Sequence, residues 1–255
     1  QWFGRYSWTD EYTDTPALPK QGSNLITNSR QYMLSNTRVL SPSKVNEFRV
    51  GYTTLYNLIG QELAGVRDVN GELKLPVTLP GPTSWGVPNI TGFGNGLSAF
   101  GNATNGPFQI DDKIFQIIDN LSWIRGKHSF RFGGEYRWDV YNQFGNEFAR
   151  GQFFFSGPNN NNINYTANPA VALGGTNVGN GIADLLLGAL GRTDVAVTLA
   201  ATDFKSNTFA AYIDDTYKVT PKLTLNFGLR YEVVQPYRDD LGNEINVQLR
   251  QDLPS

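Results

Sequence analysis

The chain has 255 residues, enough for one large all-β domain or two small ones, and a net charge of −2. That balance leaves no broad basic surface for nucleic acid, and the absence of cysteine excludes disulfides and thiolate metal or redox sites. Charged residues make up 17% against roughly 25% in soluble domains. Aromatic residues reach 13%, and no apolar run of about 18 residues occurs, so no transmembrane helix is expected.

Along the chain the dominant signal is a period of two. Over residues 46–56, Phe48, Val50, Tyr52 and Tyr56 alternate with Glu47, Arg49, Gly51 and Thr53. Residues 60–106 follow, rich in Gly, Asn and Pro, and read as a long loop. Within them Asp68-Val69-Asn70-Gly71-Glu72 has a loose likeness to a calcium loop, but Asn70-Gly71 reads better as a tight hairpin turn. Gly92-Phe93-Gly94-Asn95-Gly96 lacks the Gly-Lys-Ser/Thr of a phosphate loop. Over residues 128–140, Phe130, Phe132, Gly134, Tyr136, Trp138 and Val140 share one face, and Arg131, Gly133, Glu135, Arg137 and Asp139 the other. A second long loop spans 157–181, and 182–187 is the one stretch with a helical reading. Over residues 223–233, Leu223, Leu225, Phe227, Leu229, Tyr231 and Val233 oppose Thr224, Asn226, Gly228, Arg230 and Glu232.

These segments are about 10 residues long, the length a tilted strand needs to cross a bilayer. Soluble sandwich strands cluster near 5–6 residues. Three short turns, at 40–44, 124–127 and 219–222, alternate with the long loops, which is the asymmetry of an outer-membrane barrel. The turns head similar hairpins. Residues 118–136 align with 213–231 at a constant offset of 95, matching Ile118 with Ile213, Lys127 with Lys222, Phe132 with Phe227 and Tyr136 with Tyr231. In the strands entering the turns the phase differs between Asp119 and Asp214, and a β-bulge near Asp119 is expected to reconcile them. The fold class expected is therefore all-β: an antiparallel up-and-down transmembrane barrel segment of about 8–10 strands with long extracellular loops.

Ordered phrases carry a more specific likeness. They include Asn46-Glu47-Phe48-Arg49-Val50-Gly51-Tyr52, Asp119-Asn120-Leu121-Ser122-Trp123, Arg150-Gly151-Gln152-Phe153-Phe154-Phe155, Ala183-Asp184-Leu185-Leu186-Leu187-Gly188 and Tyr212-Ile213-Asp214-Asp215-Thr216-Tyr217. On these the chain resembles the Oar-like TonB-dependent receptors. The resemblance implies a barrel of the bacterial outer membrane, closed by an N-terminal plug and energised through the TonB complex for uptake of a nutrient. Residues 1–255 are then expected to be one slice of the barrel, with the plug, the TonB-contact segment and the C-terminal strands outside it. A surface adhesin or carbohydrate-binding β-protein acting through Asn/Gly-rich loops is the alternative.

Candidate site residues follow from the two faces. Arg131, Glu135, Arg137, Asp139, Arg230 and Glu232 are expected to face the lumen. Phe130, Phe132, Tyr136, Trp138, Leu225, Phe227, Leu229 and Tyr231 are expected to face lipid. Trp85, Phe93, Phe100 and Tyr165 are loop rings placed to contact a small-molecule or oligosaccharide ligand. No catalytic set is expected. The one histidine, His128, reads as a turn residue, and adjacent carboxylates such as Asp214-Asp215 point to opposite faces of a strand. No metal site, cofactor or nucleic-acid partner is expected either.

Overall fold

A computed structural model of the chain describes residues 1–17, 21–77, 79, 81–93, 98–145, 147–155, 181–198 and 200–243. Its frame is an antiparallel meander of long strands: β1 (Trp2–Thr15), β2 (Ser23–Ser41), β3 (Lys44–Gln61), β5 (Phe108–Arg125), β6 (His128–Phe144), β9 (Ala201–Thr220) and β10 (Leu223–Val234). Strand β4 (Asn89–Thr91) lies in the β3–β5 connection, and β7 (Gln152–Phe154) and β8 (Arg192–Asp194) lie in the β6–β9 connection. A last strand, β11 (Arg238–Asp239), returns to β9 at Lys205 and Phe204, next to where β10 leaves it. Each main strand pairs with its sequence neighbour, as repeated short turns dictate. Among the described residues β1 and β10 form the two edges, and the sheet is not closed.

The main strands run from 12 to 20 residues, longer than the alternation alone indicates. The physical reason is compositional. Toward the long connections the strands become polar on both faces, as in Asn28-Ser29-Arg30-Gln31 of β2, yet their backbone ladder continues without a break.

All three short turns are two-residue loops: Pro42-Ser43, Gly126-Lys127 and Pro221-Lys222. Gly126 has φ +61°, the left-handed value that a primed hairpin turn requires at its first position. Two hairpins carry a register shift beside the turn, between Val39 and Ser41 in β2 and between Leu223 and Thr224 opposite Val219 in β9. The β5–β6 ladder runs unbroken from Arg125↔His128 to Gln109↔Phe144. The expected bulge near Asp119 is therefore corrected. The extra residue is Val219, in the other copy of the repeat, and it reverses the phase of everything upstream of it in β9.

The two long connections fold together at the opposite end. Strand β4 pairs in parallel with β7, and β7 antiparallel with β8, so one small sheet is built from both connections. Phe93, Phe153 and Phe155 form its core, with Leu75, Ile90, Ile182, Leu185 and Leu190 packed against them. Helix α2 (Gly181–Leu187) supplies Ile182 and Leu185 and lies where the helical reading placed one. Helix α1 (Val69–Glu72) replaces the tight hairpin turn expected at Asn70-Gly71. The Asp68 carboxylate caps it by accepting from the Gly71 amide at 2.9 Å, and that bond favours a helical turn over a hairpin.

Candidate functional site

The register assigns every strand residue to one of two faces. One face is apolar and aromatic. Across it run rows of paired residues: Tyr6, Tyr32, Tyr52, Phe115 and Trp138 in one, and Leu34, Val50, Ile117, Tyr136, Phe209 and Val233 in the next. Ring centroids lie 4.9 Å apart for Tyr6–Tyr32 and 5.1 Å for Tyr136–Phe209. Phe130, Phe132, Trp138, Leu225, Phe227, Leu229 and Tyr231 share this face. Leu229 and Tyr231 are each 71% exposed, a burden no soluble sheet carries without a cover.

The apolar band has sharp ends. Toward the connections it stops at a charged register row of Arg30, Thr54, Lys113, Val140 and Lys205, backed by Asp10, Asp111 and Asp203. Toward the turns it stops at Lys44, Trp123, Arg125 and His128. Ten residue steps separate Lys113 from Trp123 on β5. They span about 33 Å along the strand, or about 25 Å in height at the tilt of about 40° usual in membrane barrels. That is the height of a barrel's lipid-facing band, and the remaining strand length extends beyond it on the side of the connections.

The opposite face is polar. Glu135 accepts from Gln116 Nε2 at 2.7 Å and lies 3.7 Å from the Arg230 guanidinium, which also holds Glu232 at 3.0 Å. Arg137 donates to Asp139 at 2.8 Å. Arg131 sits opposite Asp214 in a concavity with Ser129, Thr216 and Asn226, and among the described residues it makes no hydrogen bond or ion pair. Tyr212 donates to Asn120 Oδ1 at 2.9 Å across Gly133. The exposed pair of Arg230 with Glu232 is solvated and screened and contributes little to stability, whereas Asp139 is only 8% exposed.

The candidate loop rings are scattered. Phe93 is only 5% exposed and belongs to the core of the small sheet. Phe100 is 39% exposed and stacks on it at 5.7 Å. Trp85 is half-buried, and its carbonyl accepts from Arg150. Tyr165 lies outside the described residues. His128 is more constrained than a turn residue. Its Nδ1 is 2.7 Å from Asp215 Oδ2, and its ring stacks on Tyr217 at 4.2 Å. Only cross-strand register brings these together, and the sequence separation of 87 between His128 and Asp215 hid it from the sequence.

Sequence reasoning also missed Arg150. It is 3% exposed, donates through Nε to Trp85 O at 3.0 Å and through Nη1 to Gly106 O at 2.5 Å, and its own carbonyl accepts from Asn70 Nδ2 at 2.8 Å. Burial pushes its guanidinium down to about 10. Nearby, Arg67 engages the exposed Glu72 through two nitrogens and holds its carboxyl below the usual range.

An open-faced antiparallel meander with an apolar band of bilayer height on one side and a charged face on the other is the wall of a transmembrane β-barrel. The sequence model of the outer membrane beta barrel domain matches residues 1–253, and the chain belongs to that family. Its place is the bacterial outer membrane, in association with membrane lipid. No match was found among the curated proteins or the solved structures.

Proposed function

We propose that this barrel is part of a TonB-dependent receptor that imports a nutrient across the outer membrane, without enzymatic chemistry of its own. The observation that carries the reading is the ordered set of receptor-like phrases, and the structure puts them to coherent use. The Arg150–Phe155 phrase builds the small sheet, the Asp184 phrase is α2, and the Asp119 and Asp214 phrases form the strands that enter short turns. Support also comes from the polar face, where Arg131, Glu135, Arg137, Asp139, Arg230 and Glu232 would line the lumen against a plug, with Phe130, Phe132, Leu225 and Leu229 turned to lipid. The knitted connections would sit outside the cell over the entrance, where a small molecule or oligosaccharide arrives.

The test is conductance of the full-length protein in a planar bilayer, with binding of the periplasmic domain of TonB as its companion. A plugged receptor gives no steady open-channel current and retains TonB. A steady current without TonB binding would make the protein a passive porin.

A further inference from the structure

The two ends of the apolar band treat charge differently. At the end near the connections, cations are neutralised within the protein: Arg30 by Asp10 at 2.6 Å, Lys113 by Asp111 at 3.3 Å, and Lys205 by Asp203 and Asp240 at 3.0 and 2.5 Å. Among the described residues these three cations meet four carboxylates, and Arg238, paired in register with Lys205, is a further cation of that face.

At the turn end the same face carries Arg38, Lys44 and Arg125. Lys44 Nζ lies 5.0 Å and the Arg125 guanidinium 5.5 Å from the ring centroid of Trp123. Neither cation, nor Arg38, has a carboxylate or hydrogen-bond partner among the described residues. The two carboxylates of the lower band are engaged elsewhere, Asp119 by Asn46 Nδ2 at 2.6 Å and Asp215 by His128. Cation–π contact orients Lys44 and Arg125 without cancelling their charge. Directly above them lie Leu121, Phe130 and Phe132, an apolar surface continuous with the indole.

We propose that the Lys44–Trp123–Arg125 patch binds the phosphate of an anionic phospholipid in the leaflet that borders the short turns. The inference rests on the reading of the aromatic face as lipid-facing. The patch supplies positive charge to the phosphate, an amphipathic ring at headgroup depth and an apolar track for the acyl chains, and phospholipid is the ligand that needs all three together. The balanced charges at the other end offer no such excess.

The experiment uses the full-length protein in liposomes with a fluorophore on Leu121→Cys as its single cysteine. Phosphatidylcholine or phosphatidylglycerol with brominated acyl chains is the quencher at equal mole fraction. Stronger quenching by phosphatidylglycerol is expected. Its preference should fall on the order of tenfold in a Lys44→Gln/Arg125→Gln variant that retains heat-modifiable migration. Equal quenching by both lipids in the unsubstituted patch overturns the proposal while leaving the lipid-facing reading intact. Quenching by neither overturns both. Loss of the preference on adding inorganic phosphate, compared with chloride at equal ionic strength, would overturn the lipid as the ligand. If the double variant does not fold, the comparison of the two lipids on the unsubstituted patch decides alone.

Discussion

The ring of Tyr212 lies over Gly133. A Cβ added at Gly133 would overlap that ring and crowd Asn120 Oδ1, the acceptor of the Tyr212 hydroxyl. A glycine within a strand can ease bending. The structure gives a sharper reason, because the missing side chain is the seat of a cross-strand ring that ties β9 through β6 to β5. Gly133→Ala should destabilise the folded barrel by about 1–3 kcal/mol through overpacking. Tyr212→Phe, which keeps the ring and loses the hydrogen bond, should cost about 1 kcal/mol. The temperature at which the fast-migrating folded band disappears on unboiled gels reads both. An Ala variant as stable as the native chain would mean that Tyr212 swings aside at no penalty.

Much of the wall was legible because a barrel strand displays both its faces in sequence. The alternation of Phe130, Phe132, Tyr136 and Trp138 with Arg131, Glu135, Arg137 and Asp139 needs only a period of two to be read. Turn chemistry at Pro42, Gly126 and Pro221 then sets the hairpins. The polar halves of the strands were not legible, since Asn28 to Gln31 show no alternation and are strand only because Thr53 to Tyr56 pair with them. The union of the two connections was hidden for a related reason. Asn89 meets Gln152 across 63 residues, and nothing local in either segment encodes that pairing.

Arg150 is the residue that should report that union. Its Nε and Nη1 bonds reach two carbonyls of the first connection from the second. Arg150→Ala should lower the free energy of opening the small sheet by about 3 kcal/mol. Arg150→Lys should rescue little, because one ammonium cannot hold two diverging carbonyls in a planar fork. Hydrogen exchange at the Asn89 and Phe155 amides measures it, since both bond across the connections, to Gly151 O and Thr91 O. Unchanged protection in the Ala variant would show that the Phe93–Phe153–Phe155 core suffices.

The same site sets a pH dependence. The Arg150 guanidinium is pulled down to about 10 by burial, so the closed state binds fewer protons than the open one only above that value. The penalty of the buried charge is therefore constant below pH about 10 and is relieved as pH rises above it, where closure strengthens. Exchange protection of the same amides should be flat through neutral pH once corrected for intrinsic exchange. A loss of protection between neutral pH and about 9 would contradict this assignment.

The bulge at Val219 predicts an asymmetry between two single-residue deletions. Removing Val219 leaves Thr220 opposite Leu223 and Lys218 opposite Thr224, so the faces of β10 stay as they are. Removing Ser122 from β5, which has unbroken ladders to β3 and β6, forces a slip that turns side chains to the wrong face. The first variant should keep the heat-modifiable folded band and the second should lose it. Equal behaviour of the two would mean that the turns, not the ladders, fix the register.

The assignment of the faces is open to direct test with single cysteines in this cysteine-free chain. Fluorophores at Phe132, Leu225 and Leu229 should be quenched by lipid-phase quenchers, and fluorophores at Arg131 and Asn226 should not. A label at Gln109 adds a further discrimination. Gln109 shares the face of Phe115 on β5, but it lies beyond the charged row at Lys113. It should escape quenching although it is in the same strand, because the strands outrun the roughly 25 Å apolar band. Quenching at Gln109 as strong as at Phe132 would move the membrane boundary outward, past Lys113 and Lys205, and would require those charges to be held within lipid by Asp111, Asp203 and Asp240. A common watery or buried environment at all five face positions would instead make the aromatic rows the core of a soluble sheet, and the binding of carbohydrate or host surface through the knitted connections would become the leading account of the protein.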